Sequence, residues 1–245
     1  MSAVEDDFVI APPPRPSIAV AGTAARFPVR RVFCVGRNYA AHAREMGKDP
    51  EREPPFFFTK PADAVVDAAD GVPYPPDTDE LHHEIELVVA LGAGGADLDA
   101  SAVHGLLWGA TVGVDLTRRD RQAEAKRAGR PWDLAKGFDA SAPIAPLVPM
   151  ARVASLESGR IRLEVDGETR QAGDLSEMIW PVAEHVAILS RSVTLAAGDL
   201  VMTGTPAGVG PVRPGEVITG GVEGVAELRV AIGPPRAPRP APATG

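Results

Sequence analysis

The chain has 245 residues, 44% of them apolar, and a net charge of −8. That acidity argues against nucleic-acid binding, which needs a basic surface for phosphates. Cys34 is the only cysteine, so neither a disulfide framework nor a thiolate zinc cluster is available. No apolar run nears the roughly 20 residues of a membrane span. The start, MSAVEDDFVIAPPP, lacks a basic stretch followed by an apolar one. A cytoplasmic protein is expected.

In chain order, the Pro-rich segment Ala11–Ser17 marks an arm, taken as residues 1–26. Val32–Gly36 and Pro55–Lys60 read as strands. Between them, Asn38–Met46 reads as a short amphipathic helix. Glu84–Leu91 and Gly109–Asp115 are apolar strands with acids at their ends. Thr117–Ala128 is a charged helix stopped by Gly129. Arg160–Val165 runs into Asp166-Gly167, a hairpin signal. Ser176–Ser190 carries a helical apolar stripe of Met178, Ile179, Val182, Val186 and Leu189. Asp199–Thr203 and Val225–Ala231 are strands. The Pro-rich tail, residues 233–245, has little to bury and is expected to be disordered. The expected fold is β-rich α+β, with sites on loops between strands.

Successive strand side chains point to opposite faces, so Glu84 and Glu86 share one face and Ile85 and Leu87 the other. With Asp115, three carboxylates lie at strand ends. They suit a hard divalent cation, Mg²⁺, Mn²⁺ or Ca²⁺. A solvated strand edge, with Asp115 capping the next helix, accounts for the spacing too and is the commoner arrangement. His82 and His83 are read as a polar turn before the strand rather than as ligands.

His42 and Glu45 are three apart on the first helix, where a carboxylate can orient an imidazole as a general base. An ordinary exposed pair has the same spacing. Arg119 and Gln122 are also three apart. Lys136 is a lone cation in the apolar setting LAKGF, and a buried lysine needs a partner. VMTGTPAGVG leaves a strand for a Gly-rich turn without the pattern of a nucleotide P-loop. Its amides and threonine hydroxyls can hold a carboxylate.

VGRNYAAHAREMG, FFFTKPADAVV, HHEIELVVALG, GVDLTRRDRQ, GRPWDLAKGFDASAPIAP and VMTGTPAGVGPV, in that order, resemble the fumarylacetoacetate hydrolase family. The match covers residues 27–232, the implied catalytic domain. The resemblance implies a mixed β-sandwich roll, usually a homodimer. It implies Mg²⁺ (or Mn²⁺) held by Glu84, Glu86 and Asp115, and a His42–Glu45 dyad that activates water. It places Lys136, Arg119 and Gln122 around the substrate, with Thr205 holding a substrate carboxylate. The implied activity is metal-dependent hydrolysis of a C–C bond in a small-molecule acylpyruvate. Fumarylpyruvate, a product of aromatic ring cleavage, is the first choice. The same site can decarboxylate oxaloacetate or cleave acetylpyruvate, and related members isomerise or decarboxylate dienoates. A non-catalytic 2-oxo acid binding protein is the alternative of another class. The dyad speaks for hydrolysis, because decarboxylation needs no activated water.

Overall fold

The computed structural model describes residues 8–41 and 53–235. Two mixed sheets pack into a β-sandwich roll. The larger has eight strands. Seven run in the order Phe56–Lys60, Arg31–Gly36, Asp199–Met202, Ile85–Leu91, Leu107–Val114, Ala142–Ile144 and Val65–Asp67. Val148–Pro149 adds to the Leu107–Val114 strand. The five-stranded sheet runs Glu168–Asp174, Arg160–Val165, Val217–Val222, Ala226–Pro235 and Val72–Tyr74. Most pairings are antiparallel. Asp199–Met202 runs parallel to Arg31–Gly36, however, and so delivers two strand ends to one place.

Ile85–Leu91 is the central example of sequence setting structure. Ile85, Leu87, Val89 and Leu91 face the core between the sheets, with Ile161, Leu163, Ile218 and Val230. Val88 and Ala90 face a second core with Ile18, Val32, Cys34, Ile144 and Leu200. A strand covered on both faces reads as a continuous apolar run. Burying each leucine or isoleucine here contributes roughly 1.5–3 kcal/mol. Leu87→Ala is expected to cost about 2–5 kcal/mol, because nothing around it can collapse freely.

The Asp166-Gly167 hairpin forms as expected. Val165 pairs with Glu168, and both loop residues have positive φ, 51° and 82°, as a two-residue primed turn requires. Two helix expectations are corrected. Thr117 and Arg118 pair as strand with His82 and Leu81, so that helix is Arg119–Ala128. Gly129, at φ 61°, closes it in the left-handed conformation. The expected helix Ser176–Ser190 begins only at Val182. Pro181 disfavours α geometry at Trp180, and Leu175–Glu177 is instead a short 3-10 turn capped by Asp174. Met178 is buried through a bridge to Tyr39 rather than along a helical stripe.

Part of the expected arm packs on the domain. Ser17–Ala19 pairs with Arg26–Pro28, and Ile18 is fully buried. Gly233–Pro235 of the expected tail continues the strand beside Val72–Tyr74. Residues 236–245 lie outside the described residues, as does most of Asn38–Met46. Among the described residues, no helix is long and apolar enough to cross a membrane.

Candidate metal and substrate site

Glu84 sits in the junction between Leu81–His83 and Ile85–Leu91; Glu86 is on the second of these strands, and Asp115 follows Leu107–Val114. The neighbouring strands run antiparallel, with Glu86 opposite Gly113 and Asp115 N donating to Glu84 O at 2.8 Å. This register brings one oxygen from each acid within 4.8 Å of the others, and all three residues are buried. Asp115 therefore caps no helix, and Glu84 and Glu86 do not line a solvated edge.

Cations answer the acids. Lys136 Nζ donates to Glu84 Oε2 at 2.8 Å and to Asp115 Oδ2 at 2.6 Å. Burial alone would lower the Lys136 pKa, but Asp115 and Glu84 more than offset it and hold the ammonium above its usual range. Arg119 Nη2 meets Glu84 Oε1 at 2.5 Å, and its Nη1 donates to Gln122 Oε1 at 2.6 Å. A third cation was not anticipated. Lys60 Nζ lies 2.8 Å from Asp115 Oδ1, outside hydrogen-bond geometry, and gives its protons to Leu116 O and Lys136 O. The available signal was a lone lysine closing the apolar strand FFFTK.

Glu86 differs from its neighbours. Among the described residues it makes no ion pair and accepts one hydrogen bond, from Gly204 N at 2.8 Å. Burial first, then Asp115 and Glu84, pushes its carboxyl well above the carboxylate range. A further cation here would relieve that cost. Three convergent carboxylates without a thiolate form a hard oxygen donor set that fits Mg²⁺ or Mn²⁺.

The Gly-rich turn is held by residues that local patterns did not single out. Gly204 has φ 95°, and a Cβ there would come 2.7 Å from Asn38 Cβ, so this close approach requires glycine. Asn38 Nδ2 donates to Thr203 O and Trp180 O, and its Oδ1 accepts from Trp180 N. Gln171 reaches in from the smaller sheet. Its Nε2 donates to Thr205 Oγ1 (2.7 Å) and Pro206 O (2.9 Å), and its Oε1 accepts from Ile85 N (3.0 Å). Thr205 is thus fixed at the pocket wall beside Glu84, Glu86, Arg119, Gln122 and Lys136. Arg37, Phe56, Phe58, Lys126 and Trp132 complete that wall.

The adjacent histidines belong to this frame and not to the acidic cluster. His82 Nδ1 accepts from Arg119 Nε at 3.2 Å, which leaves Nε2 to donate to Glu80 Oε1. His83 Nδ1 lies 2.9 Å from Gln171 Oε1, and burial pushes its pKa down to about 4. His42 and Glu45 lie outside the described residues.

A buried triad of carboxylates at the strand ends of a β-roll, ringed by lysine and arginine, defines a site for a divalent metal ion. Residues 31–232 match the model for the fumarylacetoacetate hydrolase C-terminal domain, and the chain belongs to the fumarylacetoacetate hydrolase family. Fumarylpyruvate hydrolase from Pseudomonas aeruginosa, solved with Mn²⁺ and pyruvate, is 52% identical with a TM-score of 0.90 over 93% of this chain and 99% of that one. Fumarylpyruvate hydrolase from a Ralstonia species is 42% identical over 76% of this chain and 96% of its own length. A mitochondrial oxaloacetate tautomerase from Arabidopsis thaliana is 41% identical over 81% of this chain and 89% of its own length.

Proposed function

We propose that this chain is a divalent-metal-dependent hydrolase that cleaves fumarylpyruvate to fumarate and pyruvate. The observation that carries this reading is the convergence of Glu84, Glu86 and Asp115 inside a cation-lined pocket. The Mn²⁺ and pyruvate held by the 52% identical Pseudomonas aeruginosa enzyme support the metal and the 2-oxo acid head. Glu84, Glu86 and Asp115 would hold Mg²⁺ or Mn²⁺, which, when bound, supplies Lewis-acid stabilisation of negative charge on the pyruvate half.

The chain's own groups do the rest. His42, oriented by Glu45, takes a proton from water. The hydroxide adds to the distal carbonyl carbon, and Lys136, Arg119 and Gln122 supply N–H donors for the resulting oxyanion. The bond from that carbon to the methylene then breaks. Its electron pair stays with the pyruvate half, which takes up the proton at carbon. Thr205, held by Gln171, donates its hydroxyl to the substrate carboxylate.

The test is loss of the enol absorbance of fumarylpyruvate, compared with acetylpyruvate and oxaloacetate, with and without Mg²⁺. Metal-dependent turnover fastest on fumarylpyruvate is expected. Activity that survives EDTA would remove the metal from the mechanism. No turnover of any acylpyruvate would leave a 2-oxo acid binding protein.

A second reading, oxaloacetate tautomerase or decarboxylase, is favoured by the Arabidopsis relative and by a Dictyostelium discoideum oxaloacetate decarboxylase at 39% identity. Neither reaction needs an activated water. His42→Ala should therefore abolish acylpyruvate hydrolysis while leaving metal binding intact.

A further inference from the structure

One wall of the pocket is unexplained by the chemistry above. Arg37 stands over the ring of Phe56, 5.3 Å from its centroid, and Lys126 over Trp132, at 5.0 Å. Trp132 meets Phe56 edge-on at 5.5 Å and 83°, and Phe58 at 5.9 Å and 61°. Among the described residues, neither the Arg37 nor the Lys126 side chain has an ion pair or a hydrogen bond. Every other cation in the site has an acidic partner: Lys60 and Lys136 on Asp115, and Arg119 on Glu84.

Two features show that this arrangement is imposed. Arg37 has φ 57°, a left-handed conformation that a non-glycine residue adopts only at a steric cost. Gly36 pairs with Phe56 across the sheet, and a Cβ on it would come 2.0 Å from the Phe56 ring. Glycine followed by a strained arginine sets the guanidinium against the aromatic wall. Lys126 shares a helix face with Gln122 and Arg119. Arg119 holds Glu84, and the helix rises about 10 Å from Arg119 to Lys126. The face thus runs from the carboxylate cluster outward, with Lys126 at its outer end. Partial burial, then the positive charges of Arg119 and Arg37, pushes the Lys126 pKa down to about 8. An arriving anion would relieve that crowding.

We infer that Arg37 and Lys126, on the Phe56–Trp132 wall, form an anion subsite that takes the far carboxylate of an extended 2-oxo dicarboxylate. The inference rests on the hydrolase reading for its substrate, and it adds a preference for acyl groups that end in a charge.

The test separates the subsite from the reaction. Binding to Mn²⁺-loaded protein is measured by calorimetry for 2-oxopimelate and for 2-oxoheptanoate, which has the same chain length but no far carboxylate. Wild type should prefer 2-oxopimelate by roughly ten- to hundredfold, as expected for a charge-assisted contact. Arg37→Met and Lys126→Met should each collapse that ratio, and Lys126→Arg should restore it. The ratio of kcat/KM for fumarylpyruvate over acetylpyruvate should fall in parallel. An unchanged ratio in both variants, or no preference in wild type, overturns the subsite. A preference that the variants erase, in a protein that turns over no acylpyruvate, upholds the subsite and overturns only the hydrolase reading.

Discussion

Lys60 and Asp115 lie 2.8 Å apart with both side chains fully buried, and the same lysine donates to the carbonyl of Lys136. One ammonium thus faces an acid of the triad and ties down the backbone of the lysine that bridges Glu84 and Asp115. Lys60→Met should leave Asp115 short of a counter-charge. The expected loss is roughly 3–5 kcal/mol of unfolding free energy in metal-free protein, as for other broken buried pairs. Urea denaturation checks it. A loss below about 1 kcal/mol would mean that Lys136 alone neutralises Asp115.

Gln171 joins the two sheets through the site. Its amide satisfies Thr205, Pro206, Ile85 and His83 together. Gln171→Met keeps similar bulk but strands several buried partners. About 2–4 kcal/mol of stability should go, since each unsatisfied group costs about 1–3 kcal/mol. KM should rise as Thr205 loses its anchor. Gln171→Glu at neutral pH should do no better, because a carboxylate cannot donate to Thr205 and Pro206 as the amide does.

How far the site reads from the chain alone differs residue by residue. Glu84, Glu86 and Asp115 were legible because strand alternation and strand ends are local patterns. Their convergence was not, since it depends on the Glu86–Gly113 register between strands that are distant in sequence. Lys60 and Gln171 were invisible for the same reason: their partners lie 55 and 34 residues away or more. The Asp166-Gly167 turn was legible because only two residues must adopt positive φ. Met178 and Ile179 have helical apolar spacing, but Pro181 disfavours α geometry at Trp180, so the helix starts only at Val182. Thr117–Arg118 has helical composition and is strand only because Leu81–His82 lies beside it.

His185 gives a pH prediction. It is fully buried, its Nδ1 lies 3.0 Å from Trp180 O, and Nε2 has no partner among the described residues. Burial lowers its pKa from 6.5 to about 4. Above pH 6.5 both folded and unfolded chains hold it neutral, and it contributes no slope. Between pH 6.5 and about 4 only the unfolded chain takes the proton, so stability falls with pH. The loss should approach about 3 kcal/mol near pH 4 and then level off. His185→Gln should remove this slope while retaining an amide donor for Trp180 O. Urea midpoints for both proteins across pH 4–8 are the measurement, and parallel curves would show that His185 is not the group that titrates.

Metal binding should be most sensitive at Glu86. Glu84 and Asp115 already have ammonium or guanidinium partners, but among the described residues Glu86 has only the Gly204 amide. A bound divalent ion therefore changes Glu86 most, from a carboxyl held above its usual range to an ionised ligand. Two outcomes follow from that asymmetry. At any pH where Glu86 is protonated in the metal-free protein, Mn²⁺ binding should release a proton, seen as a buffer-dependent heat in calorimetry that fades as the pH is raised. Glu86→Gln should abolish that proton release and weaken Mn²⁺ by more than the roughly 10–100-fold typical of an outer-shell partner. The metal-free variant should keep about the stability of wild type, since a neutral amide stands in for a carboxyl that burial already holds toward its neutral form. Weakened binding together with an unchanged proton release would place the titrating group elsewhere in the triad.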